Sequence, residues 1–239
     1  PGGAKHAEFN EQLDLLAELF HSMRSWFQPI PIIFRPWHEH NGDWFWWGKG
    51  NVSEEDYIAL FRYTVDYLKN EKDVHQLLYA FSPDRSRLRL DTIPEQNYLW
   101  GYPGDDYVDI IGIDNYGDVG RSGGPDSEEK QAENFVESLK LITKIAREKG
   151  KVAALTETGL EGVTRPDWFT EVILNPIKAN PEEIAIAWVL VWRNHTTTHH
   201  YAPYPGHLSV PDFQKFDADS ITLFEKDMRN PYKKGKAIK

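Results

Sequence analysis

Two glutamates stand where they could act together on one substrate. Glu39 follows the apolar run 30–34, and Glu157 follows the apolar run 152–155. Parallel strands present their functional residues at their carboxyl ends, so both carboxyls are predicted to face one central site. Two facing carboxyls are what glycoside hydrolysis requires, because one protonates the leaving oxygen while the other attacks the sugar or activates water. Repulsion between them is expected to raise one pKa into the range where that group acts as an acid.

The first glutamate lies in a stretch that is rich in aromatic and charged side chains. Residues 30–48 read IPIIFRPWHEHNGDWFWWG, which begins as a predicted buried strand and ends in a polar and aromatic loop. Charged and imidazole groups are costly to bury without partners, which favours an active-site loop. The four tryptophans of this stretch also offer flat apolar faces on which sugars can stack. Core packing is the favoured alternative for Trp100 and Trp168, and it stays open for Trp46 and Trp47.

Helices and strands alternate along the chain. Apolar runs predict strands over 30–35, 77–81, 108–113, 152–155 and 184–191, with residues 85–104 irregular. Helical spacing predicts helices over 8–23, from Ser53 to near Asn70, from Asp126 to Gly150, from Thr164 through Val172, and near 220–228. Nearly continuous apolar strands that alternate with helices predict the α/β class, with a parallel sheet covered by helices.

Polar residues follow every predicted strand, as they do in a (β/α)8 TIM barrel. A doubly wound open sheet also fits the alternation, but it usually shows a glycine-rich phosphate loop, and the sequence has none. A closed barrel needs eight strands, and the sequence predicts five. We therefore predict that residues 1–239 form a single catalytic domain holding the last five βα units, strands four to eight, with the first three units outside this sequence.

Composition excludes several classes of function. A net charge of −10 argues against nucleic-acid binding, and no apolar run is long enough to span a membrane. The absence of cysteine excludes disulfides, thiolate catalysis and cysteine-based metal sites. A metal site would have to use histidines such as His195, His199, His200 and His207, but no HExxH motif occurs, and we predict neither a metal nor a cofactor. The opening residues do not read as a signal peptide.

Four motifs carry a resemblance to a known family. The string RPWHEHNGDWFWWG at 35–48 resembles the signature of glycoside hydrolase family 26, which is known mainly for endo-β-1,4-mannanases. GIDNYG at 112–117, LTETG at 155–159 and VWRN at 191–194 resemble its later strand-end motifs in the same order. The resemblance implies a (β/α)8 barrel with the acid/base on strand four and the nucleophile on strand seven. The first strand of this chain would then be the family's fourth.

The resemblance also implies roles for individual residues. Glu39 matches the acid/base and Glu157 the nucleophile, although either glutamate alone could instead pair with an arginine. His38 would line the subsite of the scissile sugar. The other substrate-binding residues that it implies are Trp44 beside the acid/base, Tyr116 orienting the nucleophile, Asp114 supporting that strand end, Trp192 stacking under the sugar, and Arg193 beside it.

Alternatives to these roles stay open. Asp114 and Arg193 could form structural ion pairs, and Trp192 could belong to the core. His40 departs from the residue that often occupies its position, which leaves its effect on substrate preference open.

The implied function is endo-acting hydrolysis of β-1,4-mannosidic linkages in mannan, galactomannan or glucomannan, with retention of configuration. The expected partner is a polysaccharide or oligosaccharide, and the implied location is secreted, periplasmic or at the cell surface. Two alternatives remain: the same machinery acting on another β-glycan, such as mixed-linkage glucan or β-1,3-xylan, and a non-catalytic glycan-binding protein.

Overall fold

A parallel sheet of five strands organises the chain. The structure, a computed structural model, describes residues 2–228. The strands are β1 (Arg24–Ser25), β2 (Gln28–Pro29), β3 (Ile32–Phe34), β4 (Leu77–Phe81), β5 (Ile110–Asn115), β6 (Val152–Thr158) and β7 (Ile186–Val191). The α-helices are α1 (His6–Ser22), α2 (Glu54–Asp66), α3 (Pro94–Tyr98), α4 (Glu128–Lys149), α5 (Asn175–Lys178) and α6 (Val210–Asp217). π-helical turns cover Tyr67–Glu71 and Trp168–Leu174, and 3₁₀ turns cover Arg85–Arg87, Asp105–Tyr107, Glu161–Val163 and Glu225–Asp227.

Strands β3 to β7 form one sheet in the order β3-β4-β5-β6-β7, and every neighbouring pair is parallel. β1 and β2 form a separate antiparallel hairpin. Because parallel neighbours point the same way, the segments that follow β3 to β7 meet at one end of the sheet. The predicted α/β class and parallel sheet are therefore confirmed. Residues 229–239 of the predicted domain lie outside the described residues. No helix within 2–228 is long and apolar enough to cross a membrane.

The main core lies between the sheet and its helices. Helix α4 begins at its N-cap Ser127, whose hydroxyl accepts the Lys130 backbone N–H, and ends at Gly150 in a left-handed conformation with φ of 66°. Its buried side chains include Phe135, Leu139 and Ile142, which recur at helical spacing and face the sheet. This packing fixes the helix against the strands whose ends carry the polar residues.

The first strand of the sheet differs from its prediction. β3 covers only Ile32–Phe34, and Ile33 at its centre is 47% exposed. Ile33 pairs in register with Leu78 of β4, which is 45% exposed, so one face of the sheet is open at this edge. The prediction of a buried strand over 30–35 is therefore wrong, because no strand among the described residues lies beyond β3.

Several element boundaries also differ. β5 and β6 each run further toward their carboxyl ends than predicted, so that Asp114 and Glu157 are strand residues. The N-cap of α4 is Ser127 and not Asp126, and the helix predicted from Thr164 begins at Trp168 with π-helical geometry. The sequence predicts loops at these polar strand ends, because a hydrophobic pattern does not reveal polar side chains that hydrogen bonds keep buried.

Several short elements were not predicted. The hairpin β1–β2 and helix α3 lie in segments without clear periodicity, and α6 lies in the loop expected after β7. The helix expected near 220–228 is a single 3₁₀ turn at Glu225–Asp227. Short elements such as these depend on tertiary packing more than on local pattern.

Candidate active site

A cleft of about 960 Å³ opens at the carboxyl ends of the strands. The residues that line it include Arg35, His38, Glu39, Asp84, Tyr116, Glu157, Trp192 and Tyr201. A second cavity of about 470 Å³ lies between α6 and β7, and no titratable side chain lines it. Acidic, basic and imidazole side chains line the first cavity, and both predicted glutamates lie in it.

The turn after β3 holds Glu39 in a strained backbone conformation. Glu39 has a φ of 52° and Trp37 a φ of 56°, a left-handed region that costs a non-glycine residue roughly 1–2 kcal/mol. The Glu39 N–H donates to the carbonyl of Ser82 at 2.8 Å, and the Tyr57 hydroxyl donates to the carbonyl of Trp37 at 2.9 Å. Strain that neighbouring groups hold in place is frequent at functional sites.

The Glu39 carboxyl has an indole partner. Trp44 Nε1 donates to Glu39 Oε2 at 2.7 Å, which places this tryptophan beside the glutamate as expected, although it is half exposed and borders the cleft without lining it. Gly42 makes room for the indole, because a Cβ at that position would lie 2.3 Å from the Trp44 ring. The loop sequence thus brings one neutral donor to the carboxyl.

Burial raises the pKa of Glu39 to about 7. The Trp44 hydrogen bond opposes this shift, the charges of Asp84 and Glu157 add to it, and the charge of Arg35 opposes it. The sequence predicted a raised pKa from repulsion between the two glutamates. Burial is the largest cause, and the charge of Asp84 raises the pKa of Glu39 more than the charge of Glu157 does.

Glu157 is held from two sides. The Tyr116 hydroxyl donates to its Oε1 at 2.7 Å, and an Arg35 guanidinium nitrogen donates to its Oε2. The register of β5 against β6 shifts at this point, since Ile113 pairs with Leu155 but Asp114 pairs with Glu157. Such a shift re-aims side chains next to a site. Both oxygens of Glu157 therefore have fixed donors at one wall of the cleft.

Asp114 lies behind this wall. It is fully buried, accepts Arg35 at 2.5 Å and Thr156 Oγ1 at 2.7 Å, and does not line the cleft. Among the residues predicted to bind substrate, Asp114 is the one that supports its strand end from behind, because its carboxyl lies buried against Arg35 and Thr156. Asp114 orients Arg35, which in turn holds Glu157.

Three predicted residues lie at or beside the cleft. Burial and the Arg35 charge lower the pKa of His38 to about 4, so its imidazole is neutral at neutral pH. Trp192 is 38% exposed, lines the cleft and meets the Tyr116 ring edge-on, which excludes the core alternative for it. Arg193 stacks over the Trp192 ring at 4.6 Å but does not line the cleft.

Other aromatic and imidazole residues have packing roles. His40 is fully buried, stacks on Tyr57 at 4.5 Å and has a pKa lowered to about 3 by burial, so it cannot contact a substrate directly. Trp47 donates to the carbonyl of His38 at 2.9 Å and Trp168 is buried in the core, whereas Trp46 is 60% exposed. Among residues 2–228, no group of three or more metal-ligating side chains is arranged to hold a metal ion.

Several cleft residues were not predicted from the sequence, and three of them interact with the residues that were. Arg35 is one of the charged groups of residues 30–48 that are costly to bury without partners, and that cost is the signal in the sequence for a partner such as Glu157. Asp84 follows β4 at the same strand end as the other polar groups. Tyr201 comes from the loop after β7 and meets Trp192 edge-on at 5.4 Å, a contact that no local pattern indicates.

Comparisons with known proteins agree on one family. The sequence profile described as glycosyl hydrolase family 26 matches residues 1–172. A mannan endo-1,4-beta-mannosidase of Bifidobacterium adolescentis is 35% identical over 95% of this chain, which covers 23% of that protein. Endoglucanase H of Acetivibrio thermocellus is 38% identical over 36% of this chain and 9% of its own length.

Solved structures agree with the sequence comparisons. A GH26 beta-mannanase from Bacteroides ovatus superposes with a TM-score of 0.84 and 38% identity, over 97% of this chain and 63% of that one. The chain thus spans less than two thirds of the length of each of these relatives. The family profile covers well over half of the chain, and the predicted family is confirmed: the chain belongs to glycosyl hydrolase family 26.

Proposed function

We propose that the protein is an endo-acting, retaining glycoside hydrolase that cleaves β-1,4-mannosidic linkages in mannan, galactomannan or glucomannan. The observation that carries this proposal is the pair of glutamates in one cleft with opposite surroundings. Glu39 has a pKa raised to about 7 and a single indole donor, whereas Glu157 accepts from Arg35 and Tyr116. Its relatives in Bifidobacterium adolescentis and Bacteroides ovatus are named as mannanases, which supports mannan as the polymer.

The proposed reaction has two steps. Glu157 attacks the anomeric carbon while protonated Glu39 gives its proton to the departing glycosidic oxygen, and a glycosyl–Glu157 ester forms. The ionised Glu39 then removes a proton from water, which attacks the same carbon and releases Glu157. Trp192 provides an exposed aromatic face for the sugar, and neutral His38 can donate or accept one hydrogen bond.

We also propose that the five-stranded sheet is strands four to eight of a (β/α)8 barrel, and that residues 1–239 belong to one catalytic domain. The parallel strands lie in sequential order, and Ile33 and Leu190 on the two edge strands are 47% and 43% exposed. This chain covers 63% of the Bacteroides ovatus chain, which agrees with five of the eight βα units of a barrel. A polymeric substrate cannot cross a membrane intact, so the proposed location is secreted, periplasmic or at the cell surface.

A second candidate is the same mechanism on a different β-glycan. The match to an endoglucanase over 36% of the chain favours a mixed-linkage glucan as the polymer to compare. The direct experiment measures release of reducing ends by the full-length protein from mannan, mixed-linkage glucan and β-1,3-xylan, with Glu157→Ala as the control. We expect release from mannan and none from the control. Binding without release, or faster cleavage of another polymer, would overturn the mannanase assignment.

A further inference from the structure

The side-chain amide of Asn41 joins the turn that carries Glu39 to the segment after the neighbouring strand β4. Asn41 Nδ2 donates to the carbonyl oxygen of Asp84 at 2.8 Å, and Asn41 Oδ1 accepts the Asp84 backbone N–H at 2.7 Å. Each residue is 8% exposed, so bulk water barely competes for these bonds. One side chain therefore satisfies both backbone polar groups of residue 84.

The position of Asn41 makes this pair of bonds a restraint on Glu39. The Glu39 N–H already donates to the carbonyl of Ser82 at 2.8 Å, and Asn41 follows only two residues later. The turn is thus fastened to residues 82–84 at two points, on either side of the Glu39 carbonyl. Because Glu39 has a φ of 52°, these attachments oppose relaxation of its backbone toward an ordinary conformation.

The same bonds place a second carboxyl beside the first. Asp84 lines the cleft, and its Oδ1 accepts the Ser86 backbone N–H at 2.7 Å. The charged and titratable groups that act on Glu39 come from three strand ends: Arg35 after β3, Asp84 after β4 and Glu157 in β6. Asn41 therefore bonds directly to Asp84, one of the three residues whose charge acts on Glu39.

We propose that Asn41 is a positioning residue for proton transfer, which holds the Glu39 carboxyl at the departing glycosidic oxygen through its two hydrogen bonds to Asp84. Asn41 does not line the cleft, so it acts through Glu39 and not on the substrate. The inference rests on the proposed glycoside hydrolysis. Glu157 is held by Arg35 and Tyr116 from other segments, so loss of Asn41 weakens proton donation and leaves the attacking carboxyl in place.

The test compares two substrates in the full-length protein carrying Asn41→Ala. A manno-oligosaccharide has a sugar leaving group that needs a proton, whereas a dinitrophenyl β-mannoside has a leaving group that departs without one. We expect kcat/KM to fall about 100-fold on the oligosaccharide, the lower end of what a general acid contributes, and less than about threefold on the aryl mannoside. Asn41→Asp keeps the shape and the acceptor but loses the donor, and it should show the same selective loss if the alanine variant does not fold.

Asp212→Ala is the matched control. Asp212 is also buried, and it accepts the backbone N–H groups of Phe169 and Thr170 at 2.9 and 3.1 Å, away from the cleft. Its loss should lower stability and leave kcat/KM of the folded protein unchanged on both substrates. If the wild-type protein is active and kcat/KM of the Asn41 variants falls equally on both substrates, or does not fall, the inference about Asn41 is contradicted and the proposed function is not. A wild-type protein inert toward both would contradict the proposed function as well.

Discussion

The two carboxyls of the cleft are held in opposite ways. Glu39 stands on a strained turn with one indole donor at 2.7 Å, and burial raises its pKa to about 7. Glu157 is part of strand β6, where Arg35 and Tyr116 donate to its two oxygens. Two identical side chains thus receive different chemistry from their surroundings, which is how one residue type can serve as both acid and nucleophile.

Removing the cation from the Glu157 side should have the largest effect on this contrast. Arg35→Met leaves the buried carboxyl of Asp114 and that of Glu157 without their shared partner. We expect the free energy of unfolding to fall by about 3 kcal/mol, the lower end of the cost of breaking a buried ion pair. We also expect kcat/KM on mannan to fall about 10- to 100-fold. Denaturant unfolding and reducing-end assays of the full-length protein measure these two losses.

Arg165→Met is the control for that change. Arg165 pairs with Asp167 at 2.8 Å, but both side chains are partly exposed, so the loss should stay below about 1 kcal/mol. Equal losses of stability in the two variants would show that burial of the Arg35 network contributes nothing.

Removing the indole donor from the Glu39 side should have a smaller effect that appears in the pH profile. The Trp44 N–H stabilises the carboxylate form, so Trp44→Phe should raise the pKa of Glu39 further above 7. Because the acid must be protonated, the alkaline limb of kcat/KM should move to higher pH, by about 0.5 to 1 unit for one hydrogen bond. The pH dependence of kcat/KM on a manno-oligosaccharide measures this shift.

Tyr116→Phe is the matching change on the other carboxyl. It removes one donor from Glu157 and should lower kcat while leaving the alkaline limb where it is. If the alkaline limb of kcat/KM moves in Tyr116→Phe and stays fixed in Trp44→Phe, the roles of Glu39 as acid and Glu157 as nucleophile are reversed.

The sequence predicted the parts of this site that local pattern encodes. Alternating strands and helices indicated a parallel sheet, and the strand-end glutamates indicated one cleft. Trp44 donates to Glu39 and Tyr116 donates to Glu157, the two glutamates beside which the resemblance to family 26 leads us to expect them. Arg35 was not predicted as the arginine partner of Glu157, because the Arg35 bridge joins three strand ends and depends on how β5 and β6 are aligned.

Side-chain direction was the second limit of the sequence. Asp114 and His40 belong to motifs that look functional, yet both side chains are fully buried. Motif position gives the strand end on which a residue lies, whereas the register shift and the turn decide whether its side chain faces the cleft or the core.

Covalent trapping of the nucleophile tests the proposed roles of Glu39 and Glu157 most directly. A 2-deoxy-2-fluoro-mannosyl fluoride loses fluoride as a carboxylate oxygen bonds to its anomeric carbon, and the electron-withdrawing fluorine slows release of the ester. Mass spectrometry of the digested full-length protein then identifies the modified residue. We expect the sugar to be attached to Glu157 and Glu39 to be unmodified. A sugar attached to Glu39 would contradict these roles.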